Sequence, residues 1–277
     1  IMQQLIVRLA SKADEHIQWL RYDTTENEII ASGELASASQ LSSLKEHAED
    51  ATVIGIAPCS DILMTKISLP SKSNRKILAA LQFMLEDKLC KDVDSQFVAK
   101  GEQHDLELEV AAVDKNKLSV WQQQFADADI FCKSLYPDAS LLPAPEENEY
   151  SLLQINQDLL VRTDSNEIMQ GEAAWLYPAI KARIEANNEK TIKLKAYSEL
   201  SEASEQDDIE YDYDHLPLDL LRLQTKSSSV NLFQGEFAVK AKSNALWEKW
   251  KIAAMVGIVA LTVNIAMKTV ELNQLKA

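Results

Sequence analysis

Any chemistry in this sequence would have to come from carboxylates, because no other reactive group is concentrated. Asp and Glu number 43 among 277 residues. At that density a given pair reads as solvated surface before it reads as acid–base machinery. His16, His47, His104 and His215 are isolated from one another and from Cys59, Cys90 and Cys132. No local metal cluster is therefore expected. The cysteines lie far apart, form no C-x-x-C pair and are odd in number, which reads as reduced structural thiols. No G-x-S-x-G elbow, G-x-x-x-x-G-K loop or G-x-G-x-x-G fingerprint occurs. No catalytic residue, cofactor or metal is expected.

One charge run stands apart. Glu202, Glu205, Asp207, Asp208, Glu210, Asp212 and Asp214 follow one another without an intervening Lys or Arg. Tyr211 and Tyr213 interleave at strand spacing. Three readings stay open: a solvated loop and strand end, a docking patch for a basic partner, or a calcium site. EF-hand spacing is absent. The formal net charge is −15. The six Lys and two acids of 239–277 conceal part of it, and residues 1–238 alone carry −19. Such a surface repels nucleic acid and anionic headgroups and speeds the docking of basic proteins.

The tail explains where this acidic body resides. Ile252 to Met267 contains no charge and as a helix extends about 24 Å. Trp247 and Trp250 supply an aromatic belt, and Lys251 and Lys268 can snorkel at the two ends. A transmembrane helix over 247–268 is expected, with a buried soluble helix as the alternative. Four Lys precede the span and two follow it, which places the N-terminal side in the cytoplasm. Ala253, Gly257, Ala260 and Asn264 share one face. Small residues and Asn suit helix–helix contact there, although Ala and Gly are also simply common in spans.

The elements ahead of the tail repeat. Strands are expected at Leu5–Leu9, Ile17–Tyr22 and Ile29–Leu35. A helix capped by Ser39 follows, then an apolar and therefore central parallel strand, Thr52–Ala57. The same order recurs in Ser151–Ile155, Asp158–Thr163, Ile168–Gly171, the helix Ala173–Ala186 and Thr191–Ala196, with a tight turn at Asn156-Gln157. Two β-β-β-α-β units describe an α/β, actin-like fold of duplicated ribonuclease H-like halves with an inserted subdomain. The expected division is 1–148 for the first half, with the insertion at about 59–104. The second half takes 149–238, a neck 239–246, the span 247–268 and a periplasmic start 269–277. Actin-like folds hold phosphates on Gly-containing hairpin turns. The corresponding turns here, Ala10–Asp14 and Asn156–Asp158, have no Gly.

Two stretches resemble the L protein of the type II secretion system. Leu81-Gln82-Phe83-Met84-Leu85-Glu86-Asp87-Lys88-Leu89, with Asp92-Val93-Asp94 and Phe97, is similar to a helix of that family, although Gln82-Phe83 replaces a Leu-Pro step. Asn231-Leu232-Phe233-Gln234-Gly235-Glu236-Phe237, followed by Trp247, Trp250 and the apolar run, is similar to the family's segment before its span. Phe233 stands there in place of Leu. The resemblance implies a bacterial inner-membrane, single-pass scaffold without established catalytic residues. It implies docking of the secretion ATPase through that ATPase's N-terminal domain. It also implies contact with the single-span M protein, assembly as a dimer or higher, and a periplasmic ferredoxin-like domain beyond this sequence. The alternative is an actin-like nucleotide-binding protein of a pilus-assembly or divisome complex.

Overall fold

The computed structural model describes residues 3–70, 75–89, 91–165, 167–186, 191–227, 230–240 and 255. In chain order the strands are β1 (Gln3–Arg8), β2 (Ile17–Asp23), β3 (Glu28–Leu35), β4 (Ala51–Ala57), β5 (Ile62–Ser68), β6 (Gln96–His104), β7 (Glu107–Asp114) and β8 (Cys132–Pro137). They continue with β9 (Glu149–Ile155), β10 (Asp158–Thr163), β11 (Ile168–Glu172), β12 (Lys193–Ala196) and β13 (Ile209–Tyr211). The helices are α1 (Lys45–Ala48), α2 (Arg75–Met84), α3 (Lys115–Asp127), α4 (Ala173–Ala186) and α5 (Pro217–Gln224).

The strands form two five-stranded sheets of the same topology, β3-β2-β1-β4-β8 and β11-β10-β9-β12-β13. In each, three antiparallel strands lead into two parallel ones. This is the duplicated α/β arrangement of actin-like folds. β4 is parallel to both of its neighbours and buried over most of its length, as a central strand without polar alternation should be. The β9–β10 turn does fall on Asn156-Gln157, and Asn156 takes φ 55°, a left-handed value that Asn tolerates.

Alternation along the strands divides the core. Leu5, Val7 and Leu9 join Leu41, Leu44, Trp121 and Phe125 on one face of the first sheet. Ile6, Leu20, Ile54 and Ile56 point the other way, into a cluster shared with Leu153, Ile155 and Leu160 of the second sheet. Leu218, Leu220 and Leu221 of α5 fill the same cluster. This short helix was not expected from the sequence, where the acidic run and Pro217 hide it. Its Pro occupies the first turn, where no N–H is needed.

Two expectations need correction. Ser39 does not cap a helix; it lies inside a 3-10 helix, Ala38–Leu44, and its hydroxyl meets that of Ser37 at 2.7 Å. Leu41 and Leu44, three residues apart, stack on one side of such a helix and both are buried. The helix expected to run to Leu89 stops at Met84 and gives way to a 3-10 turn, Glu86–Lys88. β5, β6 and β7 build a separate three-stranded sheet. β7 is the middle strand of that sheet, paired with β5 from Glu107 to Val113 and with β6 on its other side.

Residues 1–239 form one unit and 240–277 another. Among the described residues no helix is long and apolar enough to cross a membrane. The expected span 247–268, with Ala253, Gly257, Ala260 and Asn264, lies outside the described residues apart from Met255, which is helical.

Candidate functional site

The acidic run wraps the outer edge of the second sheet. Its first part forms the loop before β13, its middle is β13 itself, and its end leads to α5. Among the described residues the sheet ends at β13, which pairs with β12 on one side only. Tyr211 and Tyr213 are both exposed, and their rings stack 5.4 Å apart with planes 15° from parallel. Spacing by two puts both side chains on one face. Leu216, just beyond, is also exposed.

The seven acids are not equivalent. Glu202, Glu205, Asp208 and Asp214 are exposed and make no ion pair among the described residues. Glu210 and Asp212 each lie 3.8 Å from Lys195, a distance at which a solvent-facing pair contributes little. Asp207 points inward, with 8% of its side chain exposed. It pairs with Lys181 and accepts hydrogen bonds from the Tyr177 hydroxyl at 2.8 Å and the Ser204 N–H at 2.9 Å. Lys181, the Ser204 N–H and Tyr177 hold its carboxyl well below the usual range, and the Tyr177 hydroxyl is raised by burial and by Asp207. Asp207 thus ties the loop to α4 and leaves the outward-facing set.

The Asn231–Phe237 segment is a structural clip. The Leu232 N–H donates to the Leu135 carbonyl at 2.8 Å, and the Leu135 N–H donates to Asn231 Oδ1 at 2.9 Å. The segment therefore lies along the free edge of β8. Asn231 Oδ1 also accepts the Phe233 N–H. Leu232 and Phe233 are buried. Phe237 meets Phe97 of β6 edge to face at 5.0 Å, and Gly235 turns between them with φ 59°. At a left-handed position against an aromatic ring, Gly is the residue that fits without strain.

A third cluster was missed in the sequence. Arg8 closes β1 and is 6% exposed. Its Nε and Nη2 donate to Asp138 Oδ2 at 3.1 and 2.8 Å, and Nη2 also donates to Asp158 Oδ2 at 3.0 Å. Asp138 is fully buried, and its other oxygen accepts the Cys59 and Ala139 N–H groups at 2.9 and 2.7 Å. Asp158 opens β10, directly after the Asn156-Gln157 turn. Gln170 Nε2 donates to Asp158 at 3.2 Å, and Gln170 Oε1 accepts the Ser60 N–H at 3.0 Å. The available signal was a lone Arg in the apolar run Leu5–Leu9, which demands a partner once buried. Those partners lie 130 and 150 residues away, beyond any local spacing rule. Among the described residues no three His, Cys, Asp or Glu side chains are placed to hold a metal ion.

Comparison with known proteins gives this arrangement a family. The family model for type II secretion system protein L matches residues 5–240. The type II secretion system protein L of Vibrio cholerae is 27% identical over 282 residues, covering all of this chain and 68% of that protein. The protein L of Dickeya chrysanthemi is 29% identical over 176 residues, covering 62% of this chain and 43% of that protein. This chain thus spans about two thirds of the Vibrio relative's length, and its match to the Dickeya relative takes in less than half of that protein. Among solved structures, the cytoplasmic domain of EpsL, an inner membrane component of the type II secretion system of Vibrio cholerae, aligns with a TM-score of 0.75 and 26% identity. That alignment covers 85% of this chain and 99% of the other. The PilM–PilN type IV pilus biogenesis complex aligns with a TM-score of 0.53 and 9% identity over 78% of this chain and 89% of that one, a likeness of fold alone. The family match starts in β1 and runs past the clip at Asn231–Phe237, so the chain belongs to the type II secretion system protein L family.

Proposed function

We infer that this protein is a non-enzymatic scaffold of the type II secretion system. It is tethered to the bacterial inner membrane with residues 1–238 in the cytoplasm, and it recruits the secretion ATPase through that ATPase's N-terminal domain. It hands the ATPase's conformational cycle to the M protein and to further copies of itself in the membrane. The observation that carries the reading is the edge at β13: two stacked, exposed tyrosines in an acidic run of which Glu202, Glu205, Asp208 and Asp214 are exposed and make no ion pair among the described residues. Such an edge offers main-chain groups, aromatic surface and negative charge together. The secretion ATPase is the partner that the resemblance to protein L implies. Clustering several tethered copies under one soluble hexamer raises effective concentration and adds avidity.

The test is the affinity of the full chain for the ATPase N-terminal domain, by calorimetry at low and high salt. The parent should bind more tightly at low salt, because exposed charges are screened beyond about 10 Å at 0.1 M. Changing Glu205, Asp208 and Glu210 together to Lys should weaken binding by about tenfold or more and flatten its salt dependence. Affinity unchanged in that variant would move the docking surface away from β13.

A further inference from the structure

We propose that Arg8, Asp138 and Asp158 form an internal clamp that holds the two halves of the fold at a fixed angle. The Asp158 carboxylate stands where a bound anion would otherwise bridge them. In open α/β sheets, ligands are taken up outside the carboxyl ends of the parallel strands. Arg8, Ala57 and Pro137 end the three parallel strands β1, β4 and β8 of the first sheet, and Asp138 follows directly. The β9–β10 hairpin of the second half comes against this point, with Asp158 at its turn. A guanidinium there would serve an anionic ligand well. Instead its Nη2 is engaged 3.0 Å from a carboxylate of the same chain, the distance of a charge-assisted hydrogen bond.

The two acids divide the work. Asp138 belongs to the first half and is held by two backbone N–H groups, so it fixes the Arg8 guanidinium in place. Asp158 belongs to the second half and supplies the crossing. Gln170 doubles that crossing by joining Asp158 to the Ser60 backbone. A further bond, from Asn156 Nδ2 to Glu34 Oε1 at 3.0 Å, links the same hairpin to the end of β3. A hinge that opens and closes around a ligand needs its mouth free. Here the mouth is pinned by charge, and a push on one half passes to the other without loss into opening. This does not depend on where the ATPase docks.

The asymmetry defines the experiment. Removing Asp158 leaves Arg8 with both of its bonds to Asp138, so no buried charge is orphaned. Spin labels on Glu28→Cys in β3 and Glu185→Cys in α4, with Cys90→Ser, report the separation of the halves by pulsed electron resonance on the full chain. Both label sites are exposed, and Cys59 and Cys132 are buried. The parent should give one narrow distance distribution, unchanged by saturating ATP with magnesium or by pyrophosphate. Asp158→Ala should broaden it or move it by more than about 2 Å. If Asp158→Ala lost its folded signal, Asp158→Asn, which keeps the shape and a contact for Gln170, carries the same prediction. An unaltered distribution in a folded variant would overturn the clamp. So would a shift of the parent distribution on adding nucleotide or pyrophosphate.

Discussion

β8 and β13 hold the same place in two sheets of identical topology, yet they end differently. Each is the fifth strand, parallel to the strand beside it, with one edge facing outward. Beyond β8 the chain returns at Asn231–Phe233 and seals part of that edge with backbone bonds and buried side chains. Beyond β13, among the described residues, nothing returns. The strand is only three residues long, Tyr211 in it and Tyr213 just beyond it are exposed, and four acids of the run around it make no ion pair among the described residues. Duplication supplied two equivalent edges. One was used to fasten the segment leading to the tail, and the other was left available. Short length and charge are how an open edge avoids indiscriminate pairing.

If this contrast is correct, damage at the sealed edge should cost stability and damage at the open edge should not. The largest effect is expected from Leu232→Ala. Leu232 is fully buried in the cluster around Trp121 and Phe125, and truncating a buried Leu costs about 2–5 kcal/mol. Asn231→Ala should follow closely. It leaves the Leu135 and Phe233 N–H groups without their acceptor, at about 1–3 kcal/mol for a buried unsatisfied donor. Urea denaturation of the full chain measures both. A loss below about 0.5 kcal/mol for Leu232→Ala would mean that the clip is ornamental and the two edges equivalent.

Between the extremes stands Asp207, the one acid of the run that faces inward. Asp207→Asn should cost about 1.5–3 kcal/mol at pH 7, the scale of hydrogen bonds to a charged group. Lys181, then the Ser204 N–H and Tyr177, depress the carboxyl's pKa in the folded protein. Its stabilisation is therefore complete above the ordinary Asp value of about 4 and is lost as pH falls through the lower folded value. The gap between parent and variant should narrow steadily below about pH 4 in an acid-denaturation series. A gap independent of pH would assign the loss to packing and not to charge.

What could be read in advance follows the range of the forces involved. The two meanders, α4 and the Asn156 turn were legible because period, propensity and turn chemistry act within a few residues. Ser39 was misplaced because two leucines three apart fit a 3-10 helix as well as an α-helix. Helix α5 was hidden because its burial is decided by two sheets, not by its own sequence. The acidic run could be marked but not divided. Its composition gives no sign that Asp207 turns toward Lys181 while Asp208 beside it stays exposed. Arg8 was visible as an oddity, but the acids that explain it come from distant parts of the chain.

The smallest structural effect, and the sharpest functional one, is expected at the tyrosine pair. Tyr213 is 60% exposed and its ring stacks on that of Tyr211. Tyr213→Ser therefore removes little buried surface, and the unfolding free energy should stay within about 0.5 kcal/mol of the parent. A partner that lays a basic segment along β13 would use the two rings as its apolar platform. Aromatic anchors of that kind dominate interface energetics, and losing one costs more than about 1 kcal/mol. Binding of the ATPase N-terminal domain should then weaken by about tenfold, with its salt dependence kept because the acids remain. That retained slope separates this variant from the Glu205, Asp208 and Glu210 reversal, which removes the slope itself. Equal affinity for Tyr213→Ser and parent would reduce the edge to electrostatic attraction alone, with no seat for the partner between the rings and the acids.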